Sequence, residues 1–215
     1  MSIGLILLAV VAILVLFGAA QRVLDRLRLT DRQALLFTGL IFVGGAIGDI
    51  PLGGRVSINL GGALIPLILC VYLLAKAETS WEVWRALIAV VLTGATVFLL
   101  GRYFPNEPEV MPFDVNYLYA VAGGVFAYLF GRSRRGAFIA GVLGVMLADI
   151  TQSVILWSQG INQRLVLGGG GAMDIIVISG LLAVLLCELV GELIERMTRT
   201  HAHAGGSFER GEKRR

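Results

Sequence analysis

Three aspartates could carry chemistry in this sequence, because each lies within or beside a long apolar stretch. Asp49 follows a run of small residues, Asp149 lies among apolar residues, and Asp174 comes shortly after four consecutive glycines. A carboxylate at the centre of a membrane helix costs roughly 2.5–3.5 kcal/mol on insertion scales. Each of these aspartates therefore requires a partner, a ligand or a chemical role.

Neutral polar side chains accompany the carboxylates. Gln152 and Ser153 follow Asp149 at the third and fourth positions, which places all three on one face of a helix. Carboxylates near broken helices and glycine-rich helix ends are how secondary transporters assemble coupling sites. The first hypothesis is therefore a transporter or channel-like protein for a proton, a monovalent cation or a small solute. The ion- or substrate-binding residues predicted under it are Asp49, Asn59, Asp149, Gln152, Ser153 and Asp174.

Two other hypotheses use the same aspartates differently. In an intramembrane aspartyl peptidase, Asp49 and Asp149 would share a proton and activate water, one as base and the other as acid. Gly48-Asp49 is loosely similar to the Gly-x-Gly-Asp motif of presenilin-type and prepilin peptidases, but Ala46 stands where the first glycine belongs. In a structural or accessory membrane protein, the aspartates would only hydrogen-bond neighbouring helices. Outside the peptidase hypothesis, no catalytic residue is predicted.

The sequence predicts neither a metal site nor a cofactor. Cys70 and Cys187 both lie in apolar stretches, which is typical of small hydrophobes in helix packing and excludes a CxxC metal site. No histidine lies in a predicted span, so the residues for haem binding or serine–histidine catalysis are missing there. His201 and His203 belong to a polar C-terminal segment, where two isolated imidazoles rarely bind a metal.

The elements that position these residues must be membrane helices. Of the 215 residues, 57% are hydrophobic and 15% are charged, and the mean hydropathy is +0.83. Soluble domains carry about 25% charged residues, so one soluble core could not bury this chain. The net charge of +3 comes from basic residues grouped between apolar stretches, which favours a lipid bilayer and not nucleic acid as the partner.

Seven apolar windows are long enough to span a membrane, which needs about 17–25 residues. Thr30 with Gln33, and Thr79 with Glu82, have the spacing of capping boxes at the start of two of them. The predicted fold class is all-α, a polytopic transmembrane helical bundle of about seven spans. The windows are Ile3–Ala20, Gln33–Leu52, Leu60–Ala77, Trp84–Tyr103, Val115–Gly131, Gly136–Gln159 and Ala172–Met197.

The basic residues predict the orientation of the bundle. With the N-terminus outside and the C-terminus inside, all 18 Lys and Arg residues except Arg55, Arg102 and Arg164 fall on the inner side. The predicted domains are a transmembrane domain over residues 1–197 and a disordered basic cytoplasmic tail over 198–215. The absence of organelle signals favours the cytoplasmic membrane of a prokaryote. A homo-oligomer is expected if this small bundle is a transporter.

Spans two and six suggest a weak parallel repeat. Each runs outward and ends near a small residue, an aspartate and an isoleucine, and each is followed by a Leu-Gly-Gly sequence before the next span. Parallel repeats are related by an axis along the membrane normal, which would bring Asp49 and Asp149 to similar depths near one another. The alternative is that glycine-rich helix ends recur by chance in a chain with 28 glycines.

Three stretches together resemble a family of prokaryotic membrane proteins, domain of unknown function 1614. They are Gly48-Asp49-Ile50-Pro51, the run from Ile58 to Leu69, and the run from Gly168 to Asp174. The resemblance extends from about Leu36 to Leu185 and implies a multi-pass helical fold with no established activity. Residues matching the family's polar pattern are Asp49, Asn59, Pro66, Asp149 and Asp174. Met173 and Ile175 depart from the aromatic residue and the glycine typical of the family around that last aspartate.

Overall fold

The computed structural model describes residues 17–27, 29–103, 115–131 and 133–212, which form a helical bundle with a small β-sheet at one end. Three of the described helices, Ser80–Tyr103, Arg134–Ser158 and the Ile175–Leu193 part of the last one, are long and apolar enough to cross a membrane. The helices are α1 (residues 17–25), α2 (Asp31–Ile47), α3 (Ile65–Ala75), α4 (Ser80–Tyr103), α5 (Val115–Gly131), α6 (Arg134–Ser158) and α7 (Ile175–Glu212).

Helices α2 to α7 coincide with six of the predicted windows, and most of the first window lies outside the described residues. The hydropathy pattern identifies these elements because an apolar backbone in lipid must satisfy its hydrogen bonds within a helix. The backbone of α7 continues as a helix to Glu212, through most of the segment predicted to be a disordered tail.

The helix starts test the two predicted capping boxes. The first is confirmed, because the Gln33 amide donates to the Thr30 hydroxyl and the Thr30 amide donates to the Gln33 side chain. The second is half formed. The Glu82 amide donates to the Thr79 hydroxyl, but the Glu82 carboxylate accepts from the Glu78 amide and not from Thr79. Both arrangements satisfy orphan donors of a helix N-terminus.

Small residues allow the central helices to approach closely. A Cβ on Gly94 of α4 would lie 2.9 Å from the Gly144 carbonyl oxygen of α6, and one on Gly141 would lie 2.8 Å from the Gly180 Cα of α7. Such contacts maximise van der Waals packing where lipid offers no hydrophobic driving force between helices. Helices α4, α6 and α7 therefore form a tightly packed centre.

A three-stranded sheet was not expected from the sequence. Strands β1 (Asp49–Gly53) and β2 (Val56–Asn59) form an antiparallel hairpin, and β3 (Leu165–Leu167) pairs in parallel with β2. The chain is mostly helical, as predicted, but the all-α prediction missed this small sheet, and span two ends at Ile47 and not at Leu52. Helix α2 ends at Ile47 because Gly48 has a φ of 103°, a value that favours glycine and leaves the helical region. Asp49 consequently lies in a strand and not in a helix.

The bundle has two distinct ends, which we name the sheet end and the arginine end. The sheet end contains the sheet, the last residues of α2 and α6, and the first residues of α3 and α7. At the arginine end, the guanidinium of Arg135 donates to the Leu27 carbonyl after α1 and to the Lys76 carbonyl after α3. Consecutive helices from α1 to α3, and α6 and α7, therefore run in alternating directions.

Candidate functional site

The sheet end is built on backbone crossings that leave no room for a side chain. After β2 the chain forms a π-helical turn, Leu60–Leu64, before α3. A Cβ on Gly61 would lie 2.0 Å from the Ile41 carbonyl oxygen of α2, and one on Gly62 would lie 2.0 Å from the Gly168 carbonyl oxygen. These contacts bring α2, the π-helical turn and the glycine run 168–171 together, and we name the contact region the glycine junction.

Asn59 caps one side of the glycine junction. Its side chain is 2% exposed, and its Oδ1 accepts from the Gly61 amide at 3.1 Å and the Gly62 amide at 2.9 Å. Its Nδ2 donates to Oδ1 of Asp49 at 2.9 Å. Because Asn59 uses its carbonyl oxygen for the turn, it orients Asp49 and the glycines instead of standing free as a ligand.

Replacing the cap should destabilise the protein. We expect Asn59→Leu to lower the free energy of unfolding by about 2 kcal/mol or more, because two buried amides lose their acceptor. The matched control is Asp49→Ala, which removes only the exposed partner of Asn59 and should change stability by less than about 1 kcal/mol. Thermal unfolding in detergent measures both, and equal melting temperatures for the two variants would contradict this role of Asn59.

Asp174 caps the start of α7 on the other side of the glycine junction. Its Oδ1 accepts from the Ile176 amide and its Oδ2 from the Gly170 amide, both at 2.9 Å. Aspartate is a favoured residue at this position because its side chain satisfies free amides of the first helical turn. Asp174 lies just outside the apolar segment Ile175–Leu193. Burial raises the pKa of its carboxyl group, and the hydrogen bonds from Ile176 and Gly170 oppose that rise.

Asp149 of α6 lies within electrostatic range of Asp174. The two carboxyl groups are close enough to repel one another when both are ionised. Ser153, one turn further along α6, is buried, whereas Gln152 is exposed. The face predicted to carry three polar groups therefore presents Asp149 and Ser153 to the protein and turns Gln152 away from it.

The six predicted residues form two groups and not one. Asp49 with Asn59 belongs to the hairpin side of the glycine junction, and Asp149 with Asp174 belongs to the α6–α7 side. Among the described residues, the partners of Asp49 and Asp149 are Asn59 and Asp174, with no hydrogen bond joining the two aspartates to each other. The two expected members of a peptidase pair are thus engaged separately.

The α6–α7 side contains an unequal pair. Asp174 accepts hydrogen bonds from two backbone amides. Asp149 is affected by its burial and by the charge of Asp174. A proton or a monovalent cation between the carboxyls would relieve their repulsion. Among the residues that the structure describes, no three His, Cys, Asp or Glu side chains gather where they could hold a metal ion together.

The raised pKa of Asp174 predicts how stability depends on pH. Since the folded protein holds this proton more tightly than the unfolded chain, the stabilisation is complete below the ordinary pKa of aspartate and is lost as the pH rises through the raised value. The melting temperature of the wild type minus that of Asp174→Asn should therefore fall as the pH rises above the ordinary pKa of aspartate, about 4. A difference that stays constant or grows with pH would contradict the assignment.

A second polar cluster, at the arginine end, was not predicted. Glu188 of α7 forms ion pairs with Arg134 and, at 3.8 Å, with Arg26, and its side chain is only 15% exposed. In the sequence, Glu188 lies near the C-terminal end of the last apolar window, a position that suits contact with lipid headgroups. The ion pair between Glu188 and Arg134 depends on the packing of α7 against α6, which the sequence does not show.

Comparison with known proteins identifies the family. No curated protein and no solved structure matches the chain. The sequence model of the family described as "protein of unknown function (DUF1614)" matches residues 49–186, which is more than half of the chain. The matched part begins at Asp49 and includes Asn59, Asp149 and Asp174. The resemblance seen in the sequence is confirmed, and the chain belongs to the DUF1614 family.

Proposed function

We propose that this protein is a multi-pass membrane protein that moves protons or a monovalent cation across the bilayer, using Asp149 and Asp174. The observation that carries the proposal is the proximity of these two carboxyl groups beside the glycine run 168–171. One carboxyl comes from an apolar helix and the other from the turn that begins the next helix. The pair therefore joins two elements that a transport cycle could displace relative to each other.

The chemistry follows from the like charges of the pair. Two neighbouring carboxyls in a poorly solvated place do not both ionise without a counter-charge, so they hold a proton or a cation. Irregular backbone at membrane depth is tolerated where it is buried in protein or lines a cavity. Neutral polar groups accompany the pair, as in the coupling sites of broken-helix transporters, since the buried Ser153 lies one turn from Asp149 on α6 and the Gly170 amide donates to Asp174.

The proposed topology has seven spans, with the N-terminus outside and the C-terminus in the cytoplasm of a prokaryotic cell. Exposed aromatic side chains support a membrane-spanning position of α4. Trp84 lies near the start of this helix and Tyr103 lies at its end. They are ~28 Å apart along the helix, close to the thickness of the hydrocarbon core. Trp and Tyr are enriched at both membrane interfaces. A homo-oligomer would supply further surface for so small a bundle.

The sheet supports a parallel internal repeat, but one that relates β2 and α3 to β3 and α7 and not the two aspartates. β2 leads through glycines into α3, β3 leads through glycines into α7, and β2 pairs in parallel with β3 from Val56 opposite Leu165. The aspartates are not equivalent under this repeat. Asp49 follows the end of α2, whereas Asp149 lies more than two turns before the end of α6 at Ser158.

Reconstitution tests the proposal directly. The full-length protein is placed in liposomes that contain a pH-sensitive or sodium-sensitive dye, and a potassium diffusion potential is applied. We expect inward flux of protons or sodium well above that of protein-free liposomes. Flux equal to that of protein-free liposomes for both ions would contradict the proposal and favour a structural or accessory role.

The peptidase alternative has less support from these contacts. Asp49 is exposed in a strand and hydrogen-bonded to Asn59, whereas the charge that acts on Asp149 is that of Asp174. Asp174, the actual neighbour of Asp149, accepts backbone amides through both oxygens. A general base needs an oxygen within hydrogen-bond reach of the attacking water. Cleavage of a helical substrate that stops in both Asp49→Asn and Asp149→Asn would favour the peptidase.

A further inference from the structure

The arginine end contains a cavity of about 210 Å³ on the opposite side of the protein from the aspartate pair. By liquid volume it has room for roughly seven water molecules, which is enough for a small polar headgroup. Its described lining has three guanidinium groups, two carboxylates and a hydroxyl. The lining residues are Arg26, Glu78, Glu82, Ser133, Arg134 and Arg135.

A second cavity of about 520 Å³ adjoins the first one and lies between α5 and α7. The two cavities share Ser133 and Arg134 in their linings, so they are neighbours. The rest of the second lining is mainly apolar and includes Leu129, Val190 and Gly191. A Cβ on Gly191 would meet nothing within 4 Å, so the missing side chain leaves this groove open. A charged chamber, the first cavity, thus lies beside an apolar groove, the second cavity.

The charged groups of the chamber are held in place by their neighbours. Arg26 and Arg134 are both paired with Glu188, and Arg135 is tied to the carbonyls of Leu27 and Lys76. Guanidinium groups fixed in this way need little further ordering to bind a phosphate. They stand at the N-terminus of α6, whose positive dipole end also favours an anion.

The two carboxylates restrict the class of ligand. Glu78 and Glu82 stand on the same cavity as the arginines, so a purely anionic headgroup would meet like charge there. A headgroup with both a phosphate and a primary ammonium matches both signs. Exposed Trp81 and Trp84 at the start of α4 place this end at the level of a membrane interface, where lipid headgroups lie.

We propose that the arginine end binds an aminophospholipid such as phosphatidylethanolamine. Its phosphate contacts Arg134 and Arg135, its ammonium contacts Glu82, and one acyl chain lies in the groove beside Gly191. A free phosphate or phosphoethanolamine would fill only the chamber and leave the adjoining groove unused. This site does not include Asp149 or Asp174, so a test of lipid binding and a test of the proposed transport can give different outcomes.

Native mass spectrometry of the detergent-purified full-length protein tests the site. Phosphatidylethanolamine, phosphatidylcholine and phosphatidylglycerol with identical acyl chains are added at equal concentration. We expect occupancy by the ethanolamine lipid to exceed that of the other two by about fivefold, the value of one favourable ion pair. Choline cannot donate a hydrogen bond, and glycerol lacks the ammonium. Equal occupancy by all three lipids, or a preference for the glycerol lipid, would overturn the proposal.

Two variants separate the groove from the chamber. Gly191→Leu should reduce binding of the ethanolamine lipid by about tenfold because its side chain occupies the groove. Gly39→Leu in α2 is the matched control, since a Cβ there also meets nothing within 4 Å, and it should bind as the wild type does. Glu82→Gln should remove the preference over phosphatidylglycerol while its amide oxygen still accepts from the Glu78 amide.

The controls make each result decisive. Wild-type binding by Gly191→Leu would overturn the groove, and an undiminished lipid preference in Glu82→Gln would overturn the ammonium contact. Equal protection of the protein against heat by tail-free phosphoethanolamine would show that a soluble headgroup is the ligand, and this would also overturn a lipid site. The melting temperature without added lipid identifies any variant that has failed to fold.

Discussion

Asp149→Asn is expected to reduce proton or cation flux in proteoliposomes to the level of protein-free liposomes, whereas Asp49→Asn retains the flux of the wild type. Asp149 is the less constrained member of the carboxyl pair, because Asp174 is held by two backbone amides. An amide at position 149 has the same shape but can neither take up a proton nor neutralise a cation. Flux that depends on the pair should therefore vanish while the fold is retained.

The Asp49→Asn control is matched in chemistry and in location. It also replaces an aspartate at the sheet end by its isosteric amide, and its oxygen can still accept from Asn59. Retained flux in Asp149→Asn would contradict the assignment of the pair. Loss of flux in both variants would mean that the hairpin aspartate takes part as well. Melting temperatures in detergent, unchanged from the wild type, exclude unfolding as the cause.

The largest effect on stability is expected from Gly62→Ala. A Cβ at this position would lie 2.0 Å from the Gly168 carbonyl oxygen, and backbone on both sides leaves no flexible atom to give way. The π-helical turn and the glycine run would have to separate, which should lower the free energy of unfolding by about 3 kcal/mol or more. The same change at Gly39, where nothing lies within 4 Å, is the control and should be neutral or slightly stabilising.

Thermal unfolding of Gly62→Ala and Gly39→Ala in the same detergent measures this difference. Equal melting temperatures would show that the glycine junction adapts to a methyl group. Because the junction also positions Asp174, flux should fall in Gly62→Ala in parallel with its loss of folded protein. Gly39→Ala should retain both.

The sequence predicts the described helices well because hydrophobic content and cap residues are local signals. Thr30 and Gln33 specify the start of α2 by their own hydrogen bonds. The end of α2 was missed because Ile50, Pro51 and Leu52 are as apolar as a membrane helix. What ends the helix is the φ of Gly48, and what holds the following strand is its pairing with β2. Hydropathy depends only on the residues of a segment, so it does not show which other segment that strand pairs with.

For the candidate site, the sequence likewise predicts which residues matter but not which of them lie together. The types were predictable, since an aspartate in an apolar stretch requires an explanation. Their pairing was not, because the position of Asp149 near Asp174 depends on how α6 and α7 pack and on the turn through the glycine run. The role of Asn59 as a cap was visible in principle, because it directly precedes a glycine-rich turn and α3.

Infrared difference spectroscopy of carboxyl titration tests the central claim most directly, because it detects the protons on Asp149 and Asp174 themselves. We predict a carboxyl signal that disappears in Asp149→Asn, that titrates at a different pH in Asp174→Asn, and that is unchanged in Asp49→Asn. Such a result would show that the two carboxyls share one binding event. An Asp149 signal that titrates identically with and without Asp174 would contradict the pair and the transport mechanism built on it.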